Sequence, residues 1–203
     1  MNGHPTLIIG IAGGAGSGKT TLSLALERSL RAYDVHTIHT DRFFRREKPT
    51  AILPGSGNRY DDFNHPDAVD VGAITDELDR MLTRRSFDAV IVEGFLLFHF
   101  ASLREKLALK IFVDCPQDVR TQRRIDSFMK WGIQTEDLEA YAAFVNERHD
   151  RFVEPTRWEA DIVVNGLVQK PAAERILASW IETKLNGLTS CTNTVESKPS
   201  SFY

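Results

Sequence analysis

Short apolar runs alternate with helical patterns along most of the chain, the order expected of an α/β protein built on a parallel sheet. Residues 6–12 (TLIIGIA) form a continuous apolar run ended by glycines, and predict a strand buried on both faces. Leu22, Leu26 and Leu30 recur at four-residue spacing and predict an amphipathic helix over residues 20–32. Further strands are predicted at 35–40, 87–93 (FDAVIVE), 107–114 (LALKIFVD) and 161–164. Further helices are predicted at 66–83, with Val69, Ile74, Leu78 and Leu82 as its stripe, and at 117–130 and 136–152. The last helix, 171–185, opens on Pro171 and carries Ile176, Leu177, Trp180 and Ile181 on one face. Five strands separated by helices imply right-handed crossovers. Residues 42–66 hold Pro49, Pro54, Gly55, Gly57 and Pro66 and read as mostly loop. That is long for a compact domain, and loops of such length usually serve function. Residues 187–203 are rich in Ser and Thr without apolar periodicity, and read as a disordered tail behind one domain spanning 1–186.

Charge narrows the set of partners. Lys and Arg number 25 against 28 Asp and Glu, a net charge of −3. That balance argues against a nucleic-acid coat or a polybasic membrane binder, and leaves room for a local phosphate site. Cys115 and Cys191 are the whole cysteine complement, which excludes a disulfide framework and a cysteine-based zinc site and fits a reducing compartment. No run of 18 apolar residues occurs, and Met1-Asn2-Gly3-His4-Pro5 lacks a basic stretch leading into a long apolar one. The expectation is a cytoplasmic protein acting on small molecules, with homo-oligomerisation left open.

The chemistry concentrates after the first strand. Gly13-Gly14-Ala15-Gly16-Ser17-Gly18-Lys19-Thr20 fits G-x-x-x-x-G-K-[ST] in full, between a predicted strand and a predicted helix. Glycines let successive N–H groups point into one concavity, and the helix start adds positive potential for phosphate. Lys19 would reach the β- and γ-phosphates of ATP, the Thr20 hydroxyl would ligate Mg²⁺, and Thr21 follows on the helix. The predicted fold is therefore the three-layer P-loop NTPase arrangement, with a five-stranded parallel core. No N-K-x-D segment of a guanine-specific switch occurs, and a motor ATPase is typically longer, which favours a kinase.

Two acids stand at strand ends, where open parallel sheets bind ligands. Asp41 follows the second strand and suits a general base that also helps hold Mg²⁺. Glu93 ends the third strand and suits the metal or its water shell. The segment NRYDDFNHPDAVD at 58–70 packs Tyr60, Asp61, Asp62, Asn64, His65 and Asp67 closely enough to hold sugar hydroxyls. Arg120, Arg123 and Arg124 share one predicted helix and suit neutralisation of a transferring phosphate; the alternative is a solvated face paired with Asp118 and Asp126. Helices across 117–152 would form a water-excluding lid.

Together these segments resemble the uridine kinase family, in the wider phosphoribulokinase/uridine kinase group of P-loop kinases. The resemblance rests on GIAGGAGSGKTT at 10–21, TDRFF at 40–44, FNHPDAVD at 63–70, VIVEGFLLF at 90–98, KIFVDCPQDVRTQRR at 110–124 and FVEPTRWEADIVV at 152–164. It implies ATP- or GTP-dependent phosphorylation of a ribonucleoside 5′-hydroxyl, with Asp41 as base, Gly18, Lys19 and Thr20 on nucleotide and Mg²⁺, and Arg124 as an acceptor-side or lid arginine. Asn64 stands where the family carries a sugar-binding Asp, and His99 where it carries a Tyr. Residues 125–132 (IDSFMKWG) lack the family's further lid arginines, with Lys130 and Arg148 as candidate replacements. Asp41-Arg42-Phe43-Phe44 and residues 93–98 (EGFLLF) also resemble nicotinamide riboside kinases. A reading of a different class is a nucleotide-binding regulatory protein without acceptor turnover.

Overall fold

The computed structural model describes residues 5–52, 57, 59–84, 87–130, 138–168 and 171–195. In chain order the elements are β1 (Leu7–Ala12), α1 (Lys19–Ser29), β2 (Val35–His39), β3 (Thr50–Ile52), β4 (Arg59–Asp61), α2 (Val71–Arg84), β5 (Ala89–Glu93), α3 (Ala101–Arg104), β6 (Leu109–Asp114), α4 (Gln117–Lys130), α5 (Leu138–Phe152), β7 (Ile162–Asn165) and α6 (Pro171–Val195). The five strands expected from the apolar runs form one parallel sheet in the order β2-β5-β1-β6-β7.

β1 is buried at every position because both its faces are covered. Its side chains alternate between two cores, as the two-residue strand period requires. Ile8 and Ala12 face Ile74 and Leu78 of α2 and the Leu96–Phe98 turn, whereas Leu7, Ile9 and Ile11 face Leu26 of α1 and Leu177, Ile181 and Leu185 of α6. The result is three layers, helix on sheet on helix.

Three local readings change. Residues 42–66 are not all loop: β3 and β4 pair as an antiparallel hairpin, Thr50 opposite Asp61. Each strand is too short to show a period, and Tyr60 holds the hairpin by packing with Phe144 and Val145 of α5. The helix expected over 66–83 is split. A 3-10 turn at Pro66–Ala68 ends in extended Val69, and the Asp70 carboxylate then accepts from Ala73 N at 3.0 Å, capping a new helix at Val71. α6 continues past Leu185 to Val195, so the region read as tail begins as helix; residues 196–203 lie outside the described residues. The start expected for α5 at 136, the segment 131–132 and Asn58 also lie outside them.

The fold sets three strand ends side by side. Register pairs His39 of β2 with Glu93 of β5, and Ile11 of β1 with Glu93. The loops leaving β1, β2 and β5 therefore converge at one carboxyl edge of the sheet.

Candidate active site

The glycine loop leaves β1 at that edge. Gly13, Gly16 and Gly18 have φ of 138°, 81° and 104°, values that side chains strongly disfavour. Gly18 caps α1 without a side-chain hydrogen bond, and no acid lies in the first turn. The first amides of α1 and its positive end are thus left for an anion. The loop is also wedged: a Cβ at Gly14 would lie 2.7 Å from Arg120 Nη1 and 2.9 Å from His149 Cε1. Lys19 Nζ lies over this loop, donating to Gly14 O at 3.0 Å. Ser17 Oγ is buried beneath it with no hydrogen-bond partner among the described residues.

Beside the loop, Thr20 Oγ1 donates to the Glu93 carboxylate, 3.0 Å from Oε1 and 3.2 Å from Oε2. His39 Nδ1 meets Glu93 Oε1 at 2.5 Å. His39 escaped the sequence reading; its signal is β-register, visible only once β2 and β5 are neighbours. Asp41 lies in a 3-10 turn directly after β2. Part of the residue is open to solvent, yet desolvation by the surrounding protein raises its carboxyl above the ordinary 3.8. Lys19 opposes that rise, and Glu93 reinforces it. Burial lowers the Lys19 ammonium in turn, with Asp41 and Glu93 holding it up and Arg124 and Arg120 pushing it down. Lys19, Asp41, Glu93, Arg120 and Arg124 therefore share one electrostatic neighbourhood.

The three arginines are not a solvated face paired with Asp118 and Asp126. Arg120 is buried, and its Nε donates to Cys115 O at 3.0 Å. Arg124 Nη2 donates to Tyr141 Oη at 2.7 Å, tying α4 to α5. Asp126 instead accepts from Gln122. Arg123 clamps three backbone carbonyls: Gly16 O at 3.1 Å, Gly166 O at 2.9 Å and Leu167 O at 2.7 Å. Gly16 belongs to the phosphate loop, and the other two to the turn after β7. Between them opens a cavity of about 360 Å³, lined by Gly18, Thr20, Thr21, Arg123, Asn165 and Val168 among others. Its place beside the phosphate loop and its mixed lining suit the base and sugar of a nucleotide. Arg123→Met should release the turn from the loop and raise KM for ATP about ten-fold with a smaller change in kcat, measured by steady-state kinetics.

The residues of the 58–70 segment separate. Asp62 is 1% exposed; its carboxylate accepts from Arg148 Nε of α5 at 2.8 Å and from Asn64 N at 3.0 Å. Asn64 is buried and lines a second cavity with Ala15, Phe95, Arg120, Arg148 and His149. Asp61 points outward toward Lys48, 3.9 Å away, and Tyr60 packs under α5. His65 and His99 set their rings edge-on to Phe152, with centroids 5.1 and 5.7 Å away. None of these last four lines the second cavity, so the structure brings Asn64 to it and leaves them around it. The sequence reading missed His149, a lone histidine on a helix with no local motif. Burial pulls its imidazole down to about 4.

Comparisons with known proteins bear on the family and the fold. A family profile described as an AAA domain matches residues 9–139. A uridine kinase of Chloroflexus aurantiacus is 31% identical, covering 91% of this chain and 98% of its own length. A uridine kinase of Deinococcus deserti is 28% identical, covering 88% of this chain and 97% of its own length. The crystal structure of TT1252 from Thermus thermophilus covers 91% of this chain and 98% of that one, with a TM-score of 0.51 at 23% identity, and shares the fold. With its glycine loop, its strand-end acids and this full-length likeness, the chain belongs to the uridine kinase family.

Proposed function

We propose that the protein transfers the γ-phosphoryl group of ATP to the 5′-hydroxyl of a ribonucleoside, uridine or cytidine first. The observation that carries this reading is the shared field of Lys19, Asp41 and Glu93 at the mouth of the glycine loop. ATP would lay its phosphates in the loop and its base in the Arg123 cavity. The acceptor oxygen attacks phosphorus in line, the bond to the β-phosphate oxygen breaks, and ADP leaves. Asp41 takes the hydroxyl proton; its raised pKa brings it nearer the working pH and makes it a better base. Lys19 offsets charge on the transferring group, with Arg120 and Arg124 close by. The Thr20 hydroxyl and Glu93 carboxylate are adjacent hard oxygen donors and fit Mg²⁺, which would neutralise phosphate charge when bound. α4 and α5, which bring Arg120 and His149 against Gly14, are placed to exclude water and so spare ATP from hydrolysis. No helix among the described residues is long and apolar enough to cross a membrane.

The test is ADP release from Mg-ATP with uridine, cytidine, adenosine, nicotinamide riboside, ribulose 5-phosphate, pantothenate or no acceptor. Turnover with uridine or cytidine is expected. Turnover with nicotinamide riboside alone would replace the acceptor assignment. ATP binding without acceptor-dependent turnover would replace the kinase with a nucleotide-binding regulator.

A further inference from the structure

α5 turns His149 inward, against the phosphate loop. The residue is 7% exposed, and its Nε2 lies 3.3 Å from Glu154 Oε2. Nδ1 is fully enclosed and has no hydrogen-bond partner among the described residues. Burial, with the Arg120 charge close by, keeps the ring neutral at pH 7. A neutral imidazole carries one proton, and the Glu154 carboxylate only accepts. The proton therefore sits on Nε2, and Nδ1 is a bare lone pair. A buried acceptor left without a donor is costly, so its persistence points to a partner that arrives in the working state.

The surroundings say what that partner is. His149 lines the second cavity together with Ala15 of the phosphate loop, Asn64, Phe95 and Arg148. The room there is small, about 10 Å³ to the centre of a water, so a ligand reaches Nδ1 only if α5 moves outward. Phosphate oxygens of ATP have no proton to give at neutral pH, and Nδ1 cannot donate to them. A hydroxyl can donate. Asp41 already serves the attacking one.

We propose that His149 Nδ1 accepts a hydrogen bond from a non-reacting hydroxyl of the phosphoryl acceptor, so that α5 selects polyhydroxylated acceptors through this ring. This inference rests on the kinase reading above.

Steady-state kinetics of His149→Phe, His149→Asn and His149→Gln test it, with the better of uridine and cytidine as acceptor and with its 2′-deoxy and 3′-deoxy analogues. His149→Phe should raise KM for the acceptor at least ten-fold and leave KM for ATP within two-fold. His149→Asn places an amide oxygen where Nδ1 was and should recover most of that loss. His149→Gln mimics Nε2 instead and should not. One deoxy analogue should be discriminated against by the wild-type protein and no longer by His149→Phe, a coupling that a packing defect would not produce. An unchanged acceptor KM, an ATP KM rising in step, or Asn no better than Gln overturns the inference while the kinase reading stands. If His149→Phe does not fold, as read by thermal melting, the Asn and Gln pair decides. Absence of turnover by the wild-type protein with any acceptor overturns the kinase reading, and this inference with it.

Discussion

Asp41→Asn should lower kcat by about 10²- to 10⁴-fold while KM for ATP stays within about three-fold. The substitution keeps shape and removes the negative charge, and with it the ability to take a proton. Asp41 is held in a 3-10 turn by the Phe43 N to Thr40 O bond at 2.9 Å, so an amide of the same size should leave that turn intact. The nucleotide contacts proposed above lie on the glycine loop and Arg123, which the substitution leaves in place, so ATP affinity should persist. The pH dependence gives an independent readout. A general base works deprotonated, so wild-type kcat/KM for the acceptor should fall as pH drops through the Asp41 pKa. Burial sets that pKa above the ordinary 3.8, so the acid limb should lie on the high side of a free carboxylate. The Asn variant should lose this limb. Both are measured by coupled ADP release across pH, and unchanged turnover in Asp41→Asn would sink the base assignment.

Gly13→Ala is expected to be severely damaging for so small a substitution. At φ 138° a Cβ is strained, and there it would also lie 2.4 Å from Val113 O, a backbone atom of β6 that cannot swing aside. The two penalties should sum to about 3 kcal/mol or more of stability. Any relief must shift the loop, so KM for ATP should rise at least about thirty-fold in whatever folds. Gly57→Ala separates the causes. Gly57 also has positive φ, 69°, but nothing among the described residues lies within 4 Å of its would-be Cβ. That variant should lose only about 1 kcal/mol and keep its ATP KM. Urea unfolding and steady-state kinetics check both. A Gly13→Ala protein as stable as Gly57→Ala would show that the carbonyl of Val113 gives way.

The elements that the sequence revealed are those whose cause is local. A strand buried on both faces must be apolar throughout, so β1, β5 and β6 announce themselves. The loop from Gly13 to Thr20 is legible because consecutive amides aimed at phosphate need glycines at set intervals. Asp41 and Glu93 are legible as acids placed just where strands end. The hairpin β3–β4 escaped because its strands are too short to show a period and its support is Tyr60 against a helix far along the chain. The extent of α6 escaped because a helix already held by Leu177, Ile181 and Leu185 can propagate through polar residues that would not start one.

By itself, then, the sequence determined the alternating α/β plan, the phosphate loop and the two strand-end acids, since contiguous residues encode each of them. Only the tertiary structure decided what those groups face. His39 meets Glu93 because β2 and β5 are neighbours, and Asp62 meets Arg148 across 86 residues because α5 docks beside β4 and the turn that follows it. Arg123 became a backbone clamp, and His149 a buried acceptor against Gly14, because α4 and α5 close over the loop. A side chain's spacing in the chain states what it is able to bond; burial and distance, which arise only when distant elements pack, state what it does bond.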